Sequence, residues 1–249
     1  MKKLFGNSFI IAVGIGAFVL ARPVGTEIYE YFAAQPVITE AKAVAMIEDS
    51  PVSEMYAALR RYFPEEAEYF MSSFMVALKD NLGNEDAFSK MFAVGAEIRQ
   101  RHAANLRTAP DQLLRSILEY QTQVIAAFEE DPMLCNRVVM LGAAAIPKSE
   151  RKRIVGQMES AGLLYRAMYE GTQSPVQRAQ ATDEDWGNLF VDFYETGGTD
   201  EELELVTQPD VENPELCGAM LRFLDVLTEA NFSGSDRLRA ETVAAMNEG

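Results

Sequence analysis

The chain has 249 residues, 48% of them hydrophobic and 24% charged. That composition excludes long-range disorder and supplies enough apolar side chains for one large or two small cores. A formal charge of −16 repels nucleic-acid phosphates and anionic lipid headgroups, which sets nucleic acid aside as a partner.

The first stretch, Leu4–Ala21, carries no charge, with Lys2 and Lys3 before it and Arg22-Pro23 behind. A membrane anchor needs about 17–25 mostly apolar residues, and this run just qualifies. Tyr29, Tyr31 and Phe32 then suit the membrane–water interface. The other reading is a signal peptide cleaved after Val19-Leu20-Ala21. Positive charge ahead of the segment keeps the N-terminus cytoplasmic in both readings, so residues 22–249 are exported. In a bacterium this makes an inner-membrane, single-pass protein with a periplasmic C-terminal domain, or a soluble periplasmic one after cleavage. Residues 1–21 are then anchor or leader, 22–36 a juxtamembrane tether, and 37–249 the helical domain. A division into two subdomains would fall near 143–148.

Export makes the two cysteines, Cys135 and Cys217, a disulfide candidate. Their contexts are alike, Asp131-Pro132-Met133-Leu134-Cys135 and Asn213-Pro214-Glu215-Leu216-Cys217. In each, Asp or Asn can cap a helix and Pro fits its first position, which puts Cys in the first turn. A redox-active pair is disfavoured because C-x-x-C is absent.

Further along, Thr39 caps a short helix to Asp49, and Ser53 begins another that ends before Pro64. Pro64-Glu65-Glu66 starts a helix with Ala67, Phe70, Met71, Phe74, Ala77 and Leu78 at helical spacing, closed by Gly83. Asn84 caps a long helix to Leu106 with the stripe Phe88, Met91, Phe92, Gly95, Ile98 and His102. The next runs from Thr108–Pro110 to Glu130, with Leu114, Ile117, Leu118, Gln121, Val124, Ile125 and Phe128 in phase. Pro132 opens the first Cys helix, ending near Gly142. Ser149–Glu170 reads as helical, with a break at Gly171–Pro175. Thr182 with Asp185 starts a helix carrying Trp186, Leu189, Phe190 and Phe193, stopped by Gly197-Gly198. The acidic segment Thr199–Glu215 holds about one helical turn. Pro214 opens the second Cys helix, with Met220, Leu221, Leu224 and Leu227 on its stripe, and Ser235 or Asp236 a weak terminal helix. No stretch alternates with period two, so the expected fold is all-α, an irregular multi-helix bundle of about ten helices.

Catalytic signals are sparse. His102 is the sole histidine, which excludes two-histidine metal motifs. It reads as a core or boundary residue; the competing role is a general base beside a carboxylate such as Glu97 or Asp111. Lys148, Arg151, Lys152 and Arg153 form the one basic cluster, suited to an acidic partner or an anion, though pairing with Glu150, Glu159 or the 199–215 segment is the preferred reading. That acidic segment lacks the calcium-loop spacing, so no metal site is expected. Tyr56, Tyr62, Phe63, Tyr69, Phe70, Met71, Phe74, Met75, Phe88, Met91 and Phe92 form a dense aromatic and Met set, read as core and secondarily as a groove for an apolar ligand. No nucleotide, zinc or serine-hydrolase motif is present, and no cofactor is expected. The expectation is a non-catalytic, membrane-tethered scaffold or accessory subunit with protein partners in the cell envelope. The alternatives are a periplasmic binder of an apolar ligand or lipid, or an enzyme centred on His102.

Overall fold

A computed structural model describes residues 39–48, 53–79, 94–142, 146–147, 149–150, 153–154 and 162–248. Leu4–Ala21, the 22–36 tether, the Gly83-Asn84 boundary, and Phe88, Met91 and Phe92 lie outside the described residues. Among the described residues no helix is long and apolar enough to cross a membrane.

Proline and capping residues set most helix ends. Helix α1 is Glu40–Glu48, begun by the Ala43 N–H on the Thr39 carbonyl at 3.0 Å. Helix α2, Ser53–Tyr62, stops ahead of Pro64, which opens α3, Pro64–Lys79, with Glu65 and Glu66 at its positive end. Residues 94–102 form α4. The sequence predicts that this helix continues to Leu106, but Ala103–Thr108 is a 3-10 segment. The cause is Pro110: the residue before a proline is pushed out of the helical region, and Ala109 is extended at φ −69°, ψ 153°.

Helix α5, Asp111–Ala126, buries all of Leu114, Ile117, Leu118, Gln121, Val124 and Ile125, and Phe128 follows in the turn beyond it. Helix α6, Pro132–Leu141, has the expected ends: the Leu134 N–H donates to Asp131 Oδ1 at 3.1 Å, and Gly142 turns the chain at φ 64°. Across 149–161 the described residues show 3-10 turns at 149–150 and 153–154. The regular helix α7 runs Gly162–Gln173, and Gly171 therefore lies inside it instead of breaking it. A Cβ on Gly171 would stand 2.0 Å from the Asn105 carbonyl oxygen. Glycine is there because the 3-10 segment presses its backbone onto α7, and Thr108 Oγ1 donates to the Gly171 carbonyl at 2.8 Å.

Helices α8, Asp183–Glu195, and α9, Asp200–Thr207, each begin with a full capping box, Thr182 with Asp185 and Thr199 with Glu202. Helix α10 is Leu216–Glu229 and α11 is Ser235–Glu248. The second Cys helix starts later than its sequence suggests. Asn213 closes an Asx turn, its Oδ1 accepting from the Glu215 N–H at 2.9 Å, so Pro214 sits in the turn ahead of the helix.

The described residues are all-helical. Helix α10 is the hub, in contact with α5, α6, α8, α9 and α11, while α7 packs on α2, α5 and the 3-10 segment. Buried apolar residues on both sides of 143–148, including Val139 and Ile154, belong to one cluster. The terminal helix is a core element, contrary to its weak sequence pattern. Leu238, Ala240, Val243, Ala244 and Met246 are buried against the 3-10 segment and α5. Three alanine-sized positions let α11 approach closely, and burial of Arg239, Thr242 and Asn247 flattens its apolar stripe.

Candidate functional site

Three constructions in this bundle gather chemistry. The first is the junction of α6 and α10. Cys135 and Cys217 are disulfide-bonded, their Cα atoms 5.7 Å apart, and both are buried. Beside them Asn136 is wholly buried. Its Nδ2 donates to the Val211 and Asn213 carbonyls at 2.9 and 2.6 Å, and its Oδ1 accepts from the Cys217 N–H at 2.9 Å. One amide thus clamps the loop entering α10 while the neighbouring sulfur holds the helix itself.

The second lies at the C-terminus of α10. Arg239, 1% exposed, grips Asp111 with two parallel bonds of 2.7 and 2.9 Å. It also donates to the Ala230 carbonyl at 2.9 Å and to that of Leu227 at 3.2 Å. Arg115 joins Asp111 at 3.0 Å and donates to the carbonyls of Thr228 and Ala230. Two cations therefore satisfy the free carbonyls at the negative end of α10, and one carboxylate pairs with both, leaving a net positive charge against that end. Partial burial raises the Asp111 pKa, but its bonds to Arg239 and Arg115 outweigh this and hold the carboxyl below its ordinary range.

The third is an open cleft of about 410 Å³ between the 174–182 loop, α8, α11 and the end of the 3-10 segment. Arg107, Arg178, Arg237, Trp186, Glu241 and Thr242 are on its wall. Each arginine is fixed by a carboxylate that does not line the cleft. Arg107 pairs with both Glu248 oxygens, Arg178 Nε donates to Asp236 at 2.9 Å, and Arg237 holds Asp185 at 2.7 and 3.0 Å. Arg178 Nη1 also donates to the Ala109 carbonyl at 2.8 Å. The bond from Arg237 holds the Asp185 carboxyl below its usual range, and Arg107 does the same for Glu248. Glu241 accepts the Ala181 N–H at 2.6 Å, tying the loop to α11. The sequence marks none of these residues as a site; Trp186, Asp185 and Asp236 stand out in it only as helix signals. The arginines come from three separate segments, and no local motif marks their convergence.

The residues that the sequence did single out are placed as follows. His102 is half-buried, its Nε2 2.9 Å from Glu66 Oε1 and its ring 4.3 Å from that of Phe63. Its carboxylate partner is thus Glu66 and neither Glu97 nor Asp111, because α3 lies alongside the end of α4 while Asp111 is committed to Arg239 and Arg115. Arg101 binds the same Glu66 at 2.8 Å. In the basic cluster Lys148, Arg151 and Lys152 lie outside the described residues. Arg153 pairs with Glu150 at 3.4 Å and lies over the Phe128 ring, 5.0 Å from its centre. In the acidic segment Glu202 caps α9 and pairs with Arg222, Asp200 accepts from the Tyr194 hydroxyl at 2.6 Å, and Asp210 closes a turn. Among the described residues no group of three or more His, Cys, Asp or Glu is placed to hold a metal ion. Of the aromatic and Met set, Tyr56, Phe70, Met71 and Phe74 are buried, with Phe63 and Met75 packed against them. Tyr69 is exposed, its hydroxyl on Glu97 at 3.0 Å.

No protein-family model matches the chain, and the searches of curated proteins and of solved structures likewise found no match.

Proposed function

We propose that the chain is an exported helical module, a non-catalytic scaffold or accessory subunit of a cell-envelope assembly, tethered to the bacterial inner membrane through residues 4–21 with its C-terminal domain in the periplasm. The observation that carries the reading is the buried Cys135–Cys217 bridge between α6 and α10. Structural disulfides persist in oxidising compartments and are rare in the cytosol. The basic-then-apolar start of the chain points the same way. The only imidazole is engaged by Glu66 and packed on Phe63, which suits a structural role for His102. A net charge of −16 favours a partner with a basic face.

The test has two steps. Free thiols are first blocked in intact cells, and peptides are then mapped without reduction. A joined Cys135–Cys217 peptide supports export, and free thiols on both residues would overturn it. Chemical cross-linking in the same cells should then give a discrete adduct with an envelope protein. A chain that stays monomeric under those conditions refutes the scaffold reading. N-terminal sequencing distinguishes the anchored form from a soluble one that begins at Arg22.

A further inference from the structure

Helix α8 has one face that the bundle does not cover. It packs against α10 and α11 and buries Asp185, Leu189 and Phe193. On the other side Gly187, Asn188, Val191, Tyr194 and Glu195 are exposed at spacings of three and four, Val191 by 53% and Tyr194 by 41%. Phe190 borders this strip, half-buried, with its ring 6.2 Å from that of Trp186. Gly187 has no internal reason to be glycine. Glycine weakens a helix interior, and a Cβ at this position would have nothing within 4 Å. A bare backbone on an outward face lets another chain come close.

The charge around the strip is of one sign. No Lys, Arg or His lies between Arg178 and Arg222. Arg222 itself is taken by Glu202 at 3.2 Å and by the Thr196 carbonyl at 2.8 Å. Among the described residues no cation pairs with Asp192, Glu195, Glu201 or Glu204. The bond to Asp200 raises the pKa of the Tyr194 hydroxyl, and the nearby Glu201 charge adds to it. Acids in the first turn of α8 suit its positive end, but Asp192 and Glu195 lie in the last turn, where the helix dipole opposes them. Neither has an internal cation to offset that.

We propose that this face of α8 is the docking surface for a basic amphipathic helix of a partner protein. The apolar stripe of that helix crosses Gly187, Val191 and Tyr194, and its Lys or Arg flanks meet Asp192, Glu195 and Glu201. This is where the partner of the scaffold reading would sit, and it rests on that reading only for the existence of such a partner. Single exposed apolar side chains are ordinary on a protein surface; here an unneeded glycine, two exposed apolar side chains and unpaired acids share one strip. A second copy of the chain would set the same carboxylates against each other, and anionic lipid would be repelled.

The probe is a synthetic peptide of about 18 residues, five helical turns, with Leu and Ala on one face and Lys on the other. It is titrated into full-length protein in nanodiscs of neutral phospholipid, with empty discs subtracted. Binding should saturate with a dissociation constant below about 50 µM at low salt and weaken as salt rises. A scrambled peptide of the same composition should bind about tenfold less tightly, and Glu in place of Lys should abolish binding. Val191→Asp separates shape from charge. It adds a carboxylate, which would tighten a purely electrostatic contact, but it removes the apolar centre and should weaken binding about tenfold. Gly187→Gln holds the partner backbone off and should weaken binding about fivefold. Val76→Asp on α3, a site 51% exposed, should leave it unchanged. Circular dichroism checks that the variants fold. Absence of saturation up to about 1 mM, equal affinity for the scrambled or the Glu peptide, undiminished binding in either α8 variant, or an equal loss in Val76→Asp would each overturn the assignment. The titration uses purified protein, so its failure leaves export and the tether standing, whereas reduced cysteines in cells would overturn those and leave this face as it is.

Discussion

Removing Asp111 should cost more than removing the arginine it pairs with. Arg239 is 1% exposed while the Asp111 side chain is 31% exposed. Asp111→Ala leaves a buried guanidinium with only the carbonyls of Leu227 and Ala230 and the Ser235 hydroxyl for company. Stranding a buried charge costs about 3–5 kcal/mol, and those remaining partners place this case at about 3 kcal/mol. Arg239→Met removes the charge itself. Asp111 keeps Arg115 and water, Ala230 keeps its bond from Arg115, and the loss is then about 1–2 kcal/mol. Urea unfolding at neutral pH with the disulfide intact measures both values. The pH dependence gives a second reading. The Asp111 pKa is depressed in the folded protein, so its contribution is complete above the ordinary carboxylate pKa, about 3.9, and is lost as pH falls through the folded value. The gap between wild type and Asp111→Ala should therefore narrow below about pH 4. Equal cost of the two substitutions, or a gap constant with pH, would refute this account.

Other substitutions probe the remaining supports. Asn136→Ala orphans the Cys217 N–H and the Val211 carbonyl and should destabilise by about 3 kcal/mol in the same urea assay, with the disulfide still formed. Double replacement of Cys135 and Cys217 by Ala opens a loop with a sequence separation of 82, for which the chain-entropy model gives at most about 4–5 kcal/mol; a loss of transition midpoint measured calorimetrically checks it. Gly171→Ala pushes a methyl group into the Asn105 backbone, and thermal unfolding should show a loss of about 3 kcal/mol. Acid titration of the wild type, followed by circular dichroism, should show stability falling below about pH 4, because Asp185 and Glu248 are held low in the same way as Asp111.

Helix ends and apolar stripes were largely legible because both are written locally. Asp131, Pro132 and Gly142 define α6 within a dozen residues, and the stripe Leu114 to Phe128 repeats at helical spacing. Polar burial was not legible. Arg239 and Asp111 are 128 residues apart, and nothing near either announces the other. The buried polar side chains of α11 made it read as weak, although tertiary bonds satisfy Arg239. The likeness of the two cysteine contexts was a correct guide to the bridge and a poor guide to the turn. Asp131 caps its helix, whereas Asn213 folds back on Glu215 before its helix begins. The cleft was missed because Arg107, Arg178 and Arg237 become neighbours only through the packing of the 174–182 loop between α11 and the 3-10 segment.

The burial of α11 has a consequence for how the chain matures. Residues 111–229 emerge from the ribosome before residue 235, yet Asp111 and the carbonyl of Leu227 wait for Arg239. Until that helix arrives, the seat it fills on α5 and the 3-10 segment is an open apolar trough. Vectorial synthesis therefore leaves the bundle unfinished to its last turns. A premature stop anywhere before Ser235 would release a chain with an exposed core, marked for proteolysis, however much of its length had already been made.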